Sequence, residues 1–260
     1  MKKIAIVSGA SSGMGRECVR QLVRMYPGLE EIWAVARRKD RLEELAAETA
    51  VPVRIFPADL AKKKEYDDLR SALKKEKPAV WFLVNAAGFG KIGLFAESGE
   101  ADACGMATVN VVALTRLTHM ALPYMPEGAR VIQFASSAAF LPQPGFAVYA
   151  ASKSYVLSLS RALDRELRDR KIRVTAVCPG PVKTEFFDIA ESTGNEIPFY
   201  KQVVMADPAA VVRKALRDSR AGREVSVYSL PMQLFAGLCK VLPHGLILPL
   251  IRPKKAERES

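Results

Sequence analysis

Short apolar runs punctuate the chain at Ile4 to Val7, Ile32 to Val35, Val53 to Phe56, Val80 to Val84, Val131 to Ala135, Val174 to Val177 and Val225 to Tyr228. Most are apolar at consecutive positions and rich in β-branched or aromatic side chains, the pattern of a strand covered on both faces. Between most of them the apolar positions recur with helical spacing, over Gly15 to Met25, Asp40 to Thr49, Lys64 to Lys75, Ala103 to Leu122, Val148 to Asp169 and Ala209 to Arg220. Strand and helix in alternation predict an α/β fold: one doubly wound parallel sheet of about seven strands with helices on both faces. At 260 residues the chain is long enough for one large core and only marginally for two, so a single domain over 1–260 is expected.

In such a sheet ligands bind outside the carboxyl ends of the strands. The loops expected there are Ser8 to Gly15, Ala36-Arg37-Arg38, Asp59-Leu60, Asn85-Ala86-Ala87-Gly88, Ser136-Ser137 and Pro179-Gly180-Pro181. Glycines at 9, 13 and 15 give the spacing G-x-x-x-G-x-G. A tight strand-to-helix turn would account for them. Their place after the first strand favours a pyrophosphate drawn close to the backbone at a helix N-terminus. No Gly-Lys-Ser/Thr follows, so the loop is not a P-loop.

Tyr149 and Lys153 stand four residues apart on a candidate helix, one turn above each other. Moving a phenol from its unperturbed pKa of about 10 to near neutrality requires about 4 kcal/mol. One ammonium about 4 Å away in an effective dielectric near 20 supplies roughly that amount. The pair therefore reads as a general acid/base, against the alternative of an ordinary helix face. Ser136, thirteen residues before Tyr149 and at the end of a strand, adds a hydroxyl to the same region.

Gly9-x-x-x-Gly13-Met14-Gly15, Asp59-Leu60, Asn85-Ala86-Ala87-Gly88, Asn110, Ser136, Tyr149-x-x-x-Lys153 and Pro179-Gly180 together resemble, in order and spacing, the short-chain dehydrogenase/reductase family. The resemblance spans residues 4 to about 185 and implies a Rossmann-type sheet and hydride transfer with a nicotinamide nucleotide. It implies that Tyr149 exchanges a proton with a carbonyl or alcohol substrate and that Ser136 hydrogen-bonds the same oxygen. Lys153 would lower the Tyr149 pKa and bind the nicotinamide ribose, and Asn110 would hold a water linking Lys153 to solvent. Cofactor contacts are implied for Gly9, Ser11, Ser12, Gly13, Met14 and Gly15, and for Asp59 and Leu60 near the adenine. Asn85, Ala86, Ala87 and Gly88 would form the floor of the cleft, and Pro179, Gly180, Val182 and Thr184 would also contact the cofactor, Thr184 at the nicotinamide amide. Two departures stand out: Ser137 follows Ser136 directly, with no Gly in the stretch after it, and Ser8 stands where Thr is common.

An acidic side chain after the second strand would bind the ribose hydroxyls of NAD and repel a 2′-phosphate. Here Arg37 and Arg38 follow Ala36, and a guanidinium suits a phosphate, so NADP(H) is expected over NAD(H). The other reading is that both arginines begin an exposed helix. Val182 and, in a substrate segment 185–205, Phe186, Phe187 and Ile197-Pro198-Phe199-Tyr200 lie on one side of the centre in sequence, and Phe140, Leu141, Pro142 and Phe146 on the other. They suit a lipophilic carbonyl or alcohol, or else plain core packing.

Composition narrows the partners. Hydrophobic residues at 49% and charged residues at 26% are ordinary globular values. The net charge of +11 is spread over several stretches, so no nucleic-acid partner is expected. Cysteines 18, 104, 178 and 239 show no metal-type clustering, and His119 and His244 have no ligand set beside them. Reduced thiols, no metal and a cytoplasmic setting are expected. The extension 230–260 is apolar to Ile251 but broken by Pro231, Lys240, Pro243 and Pro249. It reads as a lid or pocket wall, a subunit contact, or a peripheral membrane foot backed by Arg252, Lys254 and Lys255. The resemblance implies a homodimer or homotetramer. The rival function is an NADP(H)-binding regulator without chemistry, and a sugar-nucleotide epimerase fits less well.

Overall fold

The computed structural model describes residues 1–192 and 205–250. Ile197 to Tyr200 and Arg252, Lys254 and Lys255 lie outside the described residues. Seven strands form one sheet: β1 (Lys3–Ser8), β2 (Glu31–Ala36), β3 (Val53–Pro57), β4 (Ala79–Asn85), β5 (Arg130–Phe134), β6 (Arg173–Val177) and β7 (Val225–Ser226). Every pairing is parallel, in the order β3-β2-β1-β4-β5-β6-β7. The chain thus leaves β1 in one direction and returns on its other side at β4, opening a crevice above their carboxyl ends.

The consecutive apolar positions have a direct physical cause. Side chains alternate between the two sheet faces, and both faces are covered. Ile4, Ile6, Val35, Leu83 and Val131 pack on one side with Leu69 and Leu73 of α3 (Asp67–Glu76) and Leu117 of α5 (Leu114–Ala121). Ala5, Val7, Ile32, Ala34, Val84 and Ile132 pack on the other. There they meet Val19 and Leu22 of α1 (Gly13–Met25), Leu42 and Leu45 of α2 (Lys39–Glu48), and Leu216 of α8 (Pro208–Arg220).

Two predicted elements come out differently. The last strand is Val225–Ser226 rather than Val225 to Tyr228: its ladder to β6 runs from Ala176 N–H to Glu224 O and from Cys178 N–H to Ser226 O and ends there. The segment Ala103 to Leu122 is not one regular helix. It is α4 (Glu100–Ala107), a π-turn over Thr108–Ala113 and then α5. The helix α6 runs Ala147–Glu166, and α7 (Phe186–Ala190) follows the loop after β6. The tail forms α9 (Leu230–Val241) and α10 (His244–Ile247), separated at Pro243. Among the described residues no helix is long and apolar enough to cross a membrane.

Candidate active site

The glycine spacing is explained by how closely three backbones meet at the crevice. Gly9 has φ +70°, donates its N–H to Val35 O at 2.9 Å, and leaves so little room that a Cβ would stand 2.7 Å from Ala87 N. A Cβ on Gly15 would come within 2.6 Å of the Gly9 carbonyl carbon and closer still to its oxygen. Ser8 Oγ accepts a bond from Ala87 N–H at 3.3 Å, so the hydroxyl joins the first loop to the β4 loop. At the start of α1, Ser12 makes no side-chain cap and the first turn carries no acidic residue. Its N–H groups are therefore left for an anion.

A cavity of about 270 Å³ lies above these loops. It is lined by Gly9, Ser11, Ser12, Gly13, Met14 and Gly15, by Arg37 and Arg38, by Asp59 and Leu60, and by Ala86, Ala87 and Gly88. Phe89, Val109, Glu185 and Ile189 also line it. The glycine cradle, the open helix N-terminus and the two guanidiniums fit a phosphorylated dinucleotide. A second cavity of about 90 Å³ adjoins it and shares Met14, Ala86, Gly88, Thr184 and Phe186 with it. Ser136, Ser137, Tyr149, Lys153, Pro179, Gly180 and Val182 line this one.

Helix α6 delivers Tyr149 and Lys153, both buried, at 7% and 6% exposure. Lys153 Nζ lies 5.5 Å from the Tyr149 ring centroid and donates to Phe134 O, at the end of β5, at 2.8 Å. Burial pulls the Lys153 pKa down from its usual range to about 8, against a smaller opposing effect of Cys178. Ser136 caps the turn after β5, its Oγ accepting from Ala138 N–H at 3.2 Å, while Ser137 is held by its N–H to Pro179 O at 2.8 Å. Around the phenol the walls are aromatic: the Phe146 ring stacks on Tyr149 at 4.3 Å, and Phe186 lies 5.3 Å away.

Two expected site residues line neither cavity. Asn85 is buried beneath the floor it was expected to form, its Nδ2 donating to Thr118 Oγ1 at 3.0 Å and Gln133 Oε1 at 2.9 Å. That amide ties β4 to β5 and α5, so the floor itself is Ala86 to Gly88. Asn110, in the π-turn, clasps the backbone of Phe89: its Oδ1 accepts from Phe89 N–H at 3.0 Å and its Nδ2 donates to Phe89 O at 2.9 Å. The same Nδ2 reaches Ser152 Oγ at 3.0 Å, and a Cβ on Gly88 would meet both Asn110 Oδ1 and Lys153 Nζ. The side chain thus sets the distance between the cleft floor and α6.

Sequence reasoning missed Glu185. Its Oε2 accepts from Arg38 at 2.9 Å across the mouth of the larger cavity. The only available signal was its place directly after Thr184, because its partner is 147 residues away in the chain. Met232 of α9, also unforeseen, stands where it would meet a Cβ on Gly180.

Residues 3–193 match the model of a family described as short chain dehydrogenase. The chain is 34% identical over 199 residues to sulfoacetaldehyde reductase 2 of Chromohalobacter salexigens, covering 72% of this chain and 75% of that protein. Its structure resembles that of a short-chain dehydrogenase from Sphingobium yanoikuyae in complex with NADPH, with a TM-score of 0.78 and 26% identity over 99% of this chain and 100% of the other. It also resembles 3-ketoacyl-(acyl-carrier-protein) reductase from Brucella melitensis complexed with NADH, with a TM-score of 0.73 and 26% identity over 86% of this chain and 95% of the other.

Proposed function

The chain belongs to the short-chain dehydrogenase family, and on that premise we propose that it is an NADP(H)-dependent oxidoreductase interconverting an uncharged, lipophilic carbonyl compound and its alcohol. The observation that carries this reading is the continuity of two cavities, one ending at Arg37 and Arg38 and the other at Tyr149, Lys153 and Ser136. A bound nicotinamide nucleotide supplies or accepts the hydride. The chain's own groups handle the proton and the oxygen. In reduction the Tyr149 phenol donates its proton to the carbonyl oxygen, and in oxidation its phenolate takes one from the alcohol. The Ser136 hydroxyl donates to the same oxygen. The Lys153 ammonium, fixed by Phe134 O, stabilises the phenolate left behind.

For the cofactor, the support is chemical: Arg37 and Arg38 line the cleft where an acidic residue would favour NAD(H). For the substrate, the support is the wall. The smaller cavity is lined by Phe146, Phe186, Phe187 and Val182, and among its described lining residues Lys153 alone is charged. Among those described residues a charged substrate would find no counterion beyond the one already serving Tyr149. Val112 and Tyr155, exposed on the π-turn and α6, support pairing of copies through these helices.

Titration of NADPH and NADH oxidation against a panel of carbonyls tests the proposal. Tyr149→Phe is expected to lower turnover about 10²- to 10⁴-fold while leaving nucleotide affinity within a few-fold. Unchanged turnover in that variant would refute the proton-transfer role. Higher kcat/KM on small polar carbonyls than on bulky apolar ones would refute the substrate class.

A further inference from the structure

The mouth of the larger cavity holds an ion pair that the proposed chemistry does not use. Arg38 Nη2 donates to Glu185 Oε2 at 2.9 Å and stands 3.4 Å from Ser11 Oγ of the glycine loop. Glu185 comes from the other end of the cleft, one residue after Thr184, whose methyl packs against Gly13, and one before Phe186. The Arg38 hydrogen bond holds the Glu185 carboxyl below the usual range against its partial burial, aided by the Arg38 charge, by Ser12 and by Arg41. The carboxylate is therefore an anion already lodged on the guanidinium that, in the reading above, receives the 2′-phosphate.

We propose that Glu185 is a specificity-determining residue: its carboxylate competes with the adenosine 2′-phosphate for Arg38 and so weakens NADP(H) binding relative to NAD(H). The inference rests on the assignment of Arg38 as the 2′-phosphate partner. A ribose without that phosphate leaves the pair intact. A ribose that carries it must first displace the carboxylate, and then lies beside the displaced negative charge. Both partners are about half exposed, at 42% and 45% of their side chains, so solvent screens the pair and its strength is that of a surface ion pair. The expected effect is correspondingly modest, about threefold to tenfold in affinity.

Equilibrium titrations of NADPH and NADH, followed by nucleotide fluorescence without substrate, test this. Glu185→Gln keeps the shape and removes the charge. It is expected to tighten NADPH about threefold to tenfold and leave NADH within about twofold. In an Arg38→Gln background the same change is expected to move NADPH less than about twofold, since the competition has no site. Equal tightening of both nucleotides, no change in NADPH, or a gain that persists without Arg38 would each overturn the role of Glu185. If the unaltered chain prefers NADPH through Arg38 and Glu185→Gln is inert, this inference alone fails. If the unaltered chain binds both nucleotides equally and Arg38→Gln changes neither, the NADP(H) assignment fails and takes this inference with it.

Discussion

Lys153 carries an ammonium into a nearly solvent-free place, with Phe134 O as the hydrogen-bond partner shown for it. Its pKa of about 8 in the fold lies below the value near 10.4 of a lysine in an unfolded chain. Between those values the unfolded chain binds more protons, so stability rises with pH across that window, and below it the fold carries the whole cost of the buried charge. Lys153→Met, which fills similar space without charge, is therefore expected to stabilise the fold at pH 7 by on the order of 2 kcal/mol and to lose that advantage by pH 10. Urea unfolding at the two pH values checks it. A less stable variant at pH 7 would show that the bond to Phe134 outweighs burial. The spacing of Tyr149 and Lys153 was legible because helix geometry alone fixes a four-residue interval. The carbonyl that anchors Lys153 was not, since it lies on another element 19 residues earlier. Asn85 was visible in a loop at a strand end, and Asn110 only through the family resemblance. Their bonds to Gln133, Thr118, Ser152 and the Phe89 backbone depend on tertiary packing that no local pattern carries.

The strands were readable as elements because a sheet covered on both faces leaves unbroken apolar runs. The helices were readable because one stripe of each faces the sheet. The π-turn at Thr108–Ala113 left no trace, as Val109, Val111 and Leu114 continue an apolar pattern that one extra residue per turn does not interrupt. The turn between β1 and α1 is the element most exposed to a small change. In Gly15→Ala the new methyl would meet the Gly9 carbonyl, which is backbone and cannot swing aside. The expected loss is about 2–4 kcal/mol in unfolding free energy, with nucleotide affinity reduced at least about tenfold as the cradle shifts. Thermal unfolding and NADPH titration of the variant measure both. By contrast a methyl on Gly180 would meet the flexible tip of Met232, so Gly180→Ala should be tolerated far better.

At the scale of the molecule, the apolar tail resolves into a helix with two sides. Met232 of α9 lies against Gly180, a lining residue of the smaller cavity, without lining that cavity itself. Leu234 and Leu238 are exposed at 67% and 51%, with Leu230 and Val241 continuing the stripe. Side chains already in water lose little when charged. The pair Leu234→Glu and Leu238→Glu is therefore expected to leave unfolding free energy within about 0.5 kcal/mol. A loss above about 1 kcal/mol in a denaturant melt would mean that a second copy covers the stripe. Phe186 belongs to both cavities and lies beside the Tyr149 ring. A guest that moves this ring from one side remodels the chamber on the other, so the affinity of each cavity then depends on what its neighbour holds.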